Sequence, residues 1–192
     1  IINTHSIPKT DLFSFSLPDY PYVYHSWAAE LLIYLSYKFG GLTGVSIFYG
    51  AVLTLSLFVI YKTCKLLSSK VNPLFFLWMA PLAYATAGGR TRIFGLLFLS
   101  ITYYILLKYS LDKSRFIWIL PVIPLLWANF HGSFFLGIGL IIFFMLWELI
   151  SSRFERTNQN AKTLFTILTL STLSTLINPY TWRIWQQVAS IS

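Results

Sequence analysis

The chain has 192 residues, 56% of them hydrophobic and 10% charged, with a formal net charge of +8. An ordinary soluble domain carries roughly 25% charged residues, and a chain of this composition holds too little polar surface to wrap a water-soluble core. The basic residues fall in short loops between apolar runs and form no patch, which excludes nucleic acid as a partner; Cys64, the only cysteine, excludes a disulfide framework and a thiolate metal site.

Residues 1–24 read as a loop, with Pro8, Pro18 and Pro21 among polar residues and the aromatics Phe13, Phe15, Tyr20, Tyr22 and Tyr24. The chain starts at Ile1 in loop-like sequence, so a fragment is expected, with at least one membrane helix before it. Ser26 is the expected N-cap of a helix over 27–39, whose apolar stripe is Trp27, Leu31, Tyr34 and Leu35 and whose wetter side carries Glu30 and Lys38. At about 20 Å this helix is short for a span, and its charges suit it to lie in the membrane interface. Gly40-Gly41 ends it. Residues 1–41 are thus expected to form an extracytoplasmic loop plus interfacial helix, and 42–192 a transmembrane bundle.

Uncharged runs cover Phe39 to Tyr61, Val71 to Gly89, Ile93 to Leu107, Phe116 to Trp147 and Thr163 to Trp182. The run from Phe116 to Trp147 is 32 residues long, more than the roughly 20 that one crossing takes. It divides at Asn129 to Ser133, inside Trp127-Ala128-Asn129-Phe130-His131-Gly132-Ser133-Phe134. The expectation is an all-α polytopic bundle with six helices at about 43–62, 72–88, 93–108, 116–129, 133–150 and 163–178.

The loops between these helices fall into two sets. Lys62, Lys65, Lys70, Lys108, Lys113, Arg115, Arg153, Arg156 and Lys162, nine of the fourteen basic residues, belong to one set, which the positive-inside rule makes cytoplasmic. The opposite set is then extracytoplasmic. It gathers Asp11, Asp19, His25, Glu30, Arg90, Arg92, Asn129, His131 and Asn178 on one face.

Arg90 and Arg92 can hold phosphate oxygens bidentately and offset charge on a phosphate leaving group; snorkelling to lipid headgroups explains them equally. His131 and Asn129 can donate hydrogen bonds to a phosphate or sugar hydroxyl, or join helix to helix. A transfer to a hydroxyl needs a carboxylate to take the proton, which makes Asp11 and Glu30 the candidate catalytic residues. His25, Trp27 and Asn178 are further candidates; tyrosines and Trp27 suit either a sugar face or an interfacial belt, and Asn178-Pro179 stops the last helix. The sequence shows no phosphate-cradling glycine loop, nucleophile elbow or clustered metal ligands, so neither metal nor cofactor is expected.

Thr10-Asp11-Leu12-Phe13-Ser14-Phe15, His25-Ser26-Trp27-Ala28-Ala29-Glu30, Trp127-Ala128-Asn129-Phe130-His131-Gly132 and Asn178-Pro179-Tyr180 follow one another along the chain. Together they resemble the segments of a bacterial multi-pass family that is similar to GT-C membrane glycosyltransferases, of the protein mannosyltransferase and aminoarabinose transferase kind. The resemblance implies a polyprenyl-phosphate-linked sugar as donor, an extracytoplasmic active site at the cell inner membrane, and an unnamed acceptor. Ser26 stands where that family usually has Glu, and Ile93 where Pro is common. The best-known catalytic acid of GT-C enzymes would fall before Ile1. A transporter or lipid flippase, with polar residues near the midplane, and a non-catalytic membrane scaffold are the alternatives.

Overall fold

A computed structural model of the chain describes residues 6–8, 10, 21–87, 90–151 and 159–191. Among them the secondary structure is helical apart from one isolated bridge between Thr10 and Pro21. The helices are α1 (Trp27–Leu67), α2 (Leu74–Ala87), α3 (Arg92–Asp112), α4 (Val122–Phe130), α5 (Phe134–Ser151), α6 (Gln159–Ser174) and α7 (Arg183–Ile191), with a 3-10 segment, Arg115–Ile119, before α4. Three of these, α1, α3 and α5, are long and apolar enough to cross a membrane. The other segments expected to cross are shorter: α2 has 14 residues, α4 nine and α6 16.

Large apolar side chains cover the outer surface, with Phe39 and Trp78 each 84% exposed. Such a surface marks association with an apolar phase. Several hydroxyls along the helices bond locally: Ser56, Thr63 and Thr169 each donate to the carbonyl four residues back. That pattern lets Ser and Thr sit in apolar surroundings where no water can serve them.

The interfacial helix expected over 27–39 and the first crossing form one continuous element, α1, broken at Gly41. Gly41 has φ 57° and ψ −150°, a backbone region open essentially to glycine alone. Three residues on, a Cβ at Gly44 would clash with the Ser36 carbonyl oxygen, so the approach of the two arms needs glycine there too. Ser26 sits at the expected N-cap position but does not cap; its hydroxyl pairs with that of Thr91 instead.

Trp127 organises the core. It is fully buried, stacks on Phe98 of α3 with ring centroids 5.9 Å apart, and lies where a Cβ on Gly137 would come within 2.8 Å of its ring. Glycine at 137 therefore brings α5 close against α4. The last bundle helix ends at Ser174 rather than 178, and residues 175–182 turn back into α7. That helix was not expected, because its apolar residues are interrupted by Gln186-Gln187 and make no hydrophobic run. Its Ile184 is buried, Val188 packs on the core, and Trp185 meets Phe134 edge-on at 4.9 Å while its Nε1–H donates to Thr175.

Candidate functional site

Four loops meet at one end of the bundle: residues 21–26, 90–91, 131–133 and 175–182. Long-range contacts join them. The Tyr180 hydroxyl accepts from the Tyr24 backbone N–H and donates to the Pro8 carbonyl, both over 3.2 Å, and the His25 ring lies within van der Waals reach of Gly132. The loops that the alternation of helices assigned to one face are therefore gathered in space.

Between them lies a cleft of about 380 Å³ whose walls include His25, Arg90, Arg92, His131, Ser133 and, from α7, Gln187. Phe135, Ile184 and Val188 give it an apolar side. Both arginine residues are exposed at the start of α3, where the helix dipole adds to their positive field. Among the described residues neither has an ion-pair partner; the one salt bridge, Lys113–Glu148, is elsewhere. No carboxylate is among the described lining residues. Guanidiniums at a helix N-terminus with no described ion-pair partner have the chemistry to hold an anion such as phosphate.

His25 and His131 face each other edge to face, centroids 6.4 Å apart, and both are half-buried. His25 Nδ1 is buried without a hydrogen-bond partner among the described residues. Burial first, then the neighbouring His25 and Arg92, push the His131 imidazole down to about 4. It is neutral at physiological pH.

Of the residues singled out in the sequence, His25, Arg90, Arg92 and His131 come together. Asn129 does not join them. It is 8% exposed, its Oδ1 accepts from Trp27 Nε1–H at 2.9 Å, and its Nδ2 donates to the carbonyls of Leu125 and Ile177 at 2.9 and 3.0 Å. Both amide hydrogens are committed, so the expectation that Asn129 holds a donor phosphate is corrected: it pins α1, α4 and the end of α6. Trp27, its partner, lies on the same neighbouring groove.

Asn178 is a turn residue. Its Oδ1 accepts from the Tyr180 N–H at 2.8 Å, and its Nδ2 donates to the carbonyls of Thr175 and Thr181. Those bonds hold Thr181 at φ 50°, a conformation a β-branched residue rarely adopts. Glu30 is exposed on the first turn of α1 and does not line the cleft. Asp11 lies outside the described residues.

Ser133, Gly95 and α7 were missed as parts of the site. Only α7 left a sequence signal, the Ile184-to-Val188 spacing of an amphipathic turn. A second, larger cleft of about 950 Å³ shares Gln187 with the first and is lined by Tyr22, Tyr180, Trp182, Arg183 and Gln186 among others. No family model, curated protein or solved structure matches the chain.

Proposed function

We propose that this chain is part of a polytopic, GT-C-like membrane glycosyltransferase that takes a sugar from a polyprenyl-phosphate-linked donor at the extracytoplasmic face of the cell inner membrane. The observation that carries this reading is the convergence of Arg90 and Arg92, both without a carboxylate partner among the described residues, on a cleft with one apolar wall. A lipid phosphate has that same division, an anionic head on an apolar tail. The proposed six crossings rest on the uncharged runs of the sequence, and the outside placement of this end on the count of basic residues in its loops.

In the proposed reaction an acceptor hydroxyl attacks the anomeric carbon of the donor sugar. The bond from that carbon to the phosphate oxygen breaks, and its electron pair stays on the phosphate. Arg90 and Arg92 offset the charge that builds there, which is where electrostatic stabilisation counts most. The hydroxyl proton goes to a carboxylate; Asp11 is the candidate in this sequence, since Glu30 stands off the cleft. The larger neighbouring cleft, with its tyrosines, Trp182 and glutamine amides, is where an acceptor would reach the anomeric carbon.

The test is transfer from a labelled polyprenyl-phosphate sugar by the full-length protein in nanodiscs, with donor binding measured alongside. Charge-assisted hydrogen bonds are worth about 1.5–3 kcal/mol each, so Arg90→Ala and Arg92→Ala should each weaken donor binding by roughly 10- to 100-fold. Unchanged binding in both variants leaves the arginines as headgroup anchors and sinks the proposal. Donor binding with no transfer to any acceptor would favour a carrier or scaffold.

A further inference from the structure

The turn between α4 and α5 fixes where the proton of His131 sits. The backbone N–H of Ser133 donates to His131 Nδ1 over 3.1 Å, and a backbone amide cannot reverse its role. The Ser133 hydroxyl lies 2.7 Å from that same nitrogen and accepts from Trp127 Nε1–H over 3.2 Å. An indole N–H can only donate, and with Nδ1 already accepting from the backbone N–H, the hydroxyl beside it accepts from the indole and donates its own proton to the imidazole. Two donors converge on Nδ1, and no proton fits there.

We infer that Ser133, oriented by Trp127, locks His131 as a neutral imidazole protonated at Nε2, so that His131 meets the cleft as a fixed hydrogen-bond donor and never as a general base. Ser133 is then a positioning residue. A base at Nε2 would need a lone pair that this tautomer lacks; the acceptor proton must go to a carboxylate. That consequence rests on the transferase proposal, whereas the tautomer itself does not.

The packing is built for the arrangement. A Cβ on Gly95 would lie 2.8 Å from Ser133 Oγ and 3.6 Å from His131 Nδ1. The bare glycine lets α3 press against the serine and histidine one turn after Arg92, so donor and guanidiniums share one helix end. The charged and titratable groups facing His131 are His25, Arg90 and Arg92, and no carboxylate lines the cleft among the described residues. Nothing there stabilises an imidazolium, while two guanidiniums oppose one. The depressed basicity of His131 agrees.

The experiment is nitrogen NMR of histidine-labelled full-length protein in nanodiscs without ligand, with His131→Gln identifying the signal. The expected spectrum shows Nε2-protonated His131 from pH 8 to about 5.5, with no titration across the ordinary histidine range near 6.5. Ser133→Ala should move the titration midpoint up towards that range, Gly95→Ala should do so in the same direction by displacing the hydroxyl, and Ser133→Thr should restore it. An Nδ1-protonated wild-type spectrum, a wild-type midpoint near 6.5, or a Ser133→Ala spectrum identical to wild type overturns the inference. Polyprenyl-phosphate binding by the same samples is a separate readout: its absence in wild type sinks the transferase proposal and leaves the tautomer standing.

Discussion

Where α3, α5 and α6 meet, Lys113 stands 3.2 Å from Glu148, the same carboxylate accepts from the Asn160 amide, and the Tyr109 hydroxyl donates to Asn160 at 3.4 Å. Lys113 Nζ also lies 5.5 Å over the Tyr109 ring. At the opposite end of the bundle, Arg90 and Arg92 face a cleft with no such carboxylate among the described residues. Both ends hold cations beside helix termini in a largely apolar protein. A cation answered by a neighbouring helix ties helices together; two with no described partner are, in the proposed function, the ones that take an anion from outside.

The largest effect should come from Trp127→Ala, which removes the core stack on Phe98 and the donor to Ser133 together. Loss of a buried tryptophan costs about 3–5 kcal/mol, so thermal melting should show the cleft end lost with the core; a variant that melts like wild type would separate the two. Next, Arg90→Ala combined with Arg92→Ala should weaken polyprenyl-phosphate binding by more than either single change, with little change in melting. A marked drop in melting instead would make these arginines structural, like Lys113, and erase the contrast.

Asn129→Ala sharpens the distinction from the other side. It strands the Trp27 indole N–H and two carbonyls, which should cost about 1–3 kcal/mol, while donor binding per folded molecule stays at the wild-type level. Lys113→Ala should be smaller still: the lysine is half-exposed, so the pair contributes at most about 1 kcal/mol, and binding should not change.

The smallest effect is a pH dependence. The imidazole of His131 is pushed down to about 4 from the 6.5 of a free histidine, so between those limits the unfolded chain binds more protons than the folded one. Stability must then rise with pH across that window and fall on acidification through it. The loss in melting temperature between pH 7 and pH 4.5 should therefore shrink in His131→Gln; an equal loss would place the acid sensitivity elsewhere.

Much of this fold was legible in the chain. Runs without charge marked the helices, the Asn129-to-Ser133 interruption marked the α4–α5 turn, and the alternation of loops put His25, Arg90, Arg92 and His131 on one end. Periodicity could not separate Asn129 from His131, since both are polar residues in one apolar stretch and differ only in which neighbours reach them. The Ile184-to-Val188 spacing of α7 was a periodic signal, but one amphipathic turn is too short to fix a helix until Ile184 and Val188 meet a core already formed.

The sequence by itself determined an apolar, helical chain with most of its charged residues near or between helix ends, because a long uncharged run admits few other structures. Tertiary structure decided which of those residues are spoken for. The indole of Trp27 and the carbonyls of Leu125 and Ile177 commit Asn129, while Gly95 and Trp127 hold Ser133 against His131. Hydrogen-bond donors are counted and spent between elements distant in sequence, and only the packed chain brings those elements together.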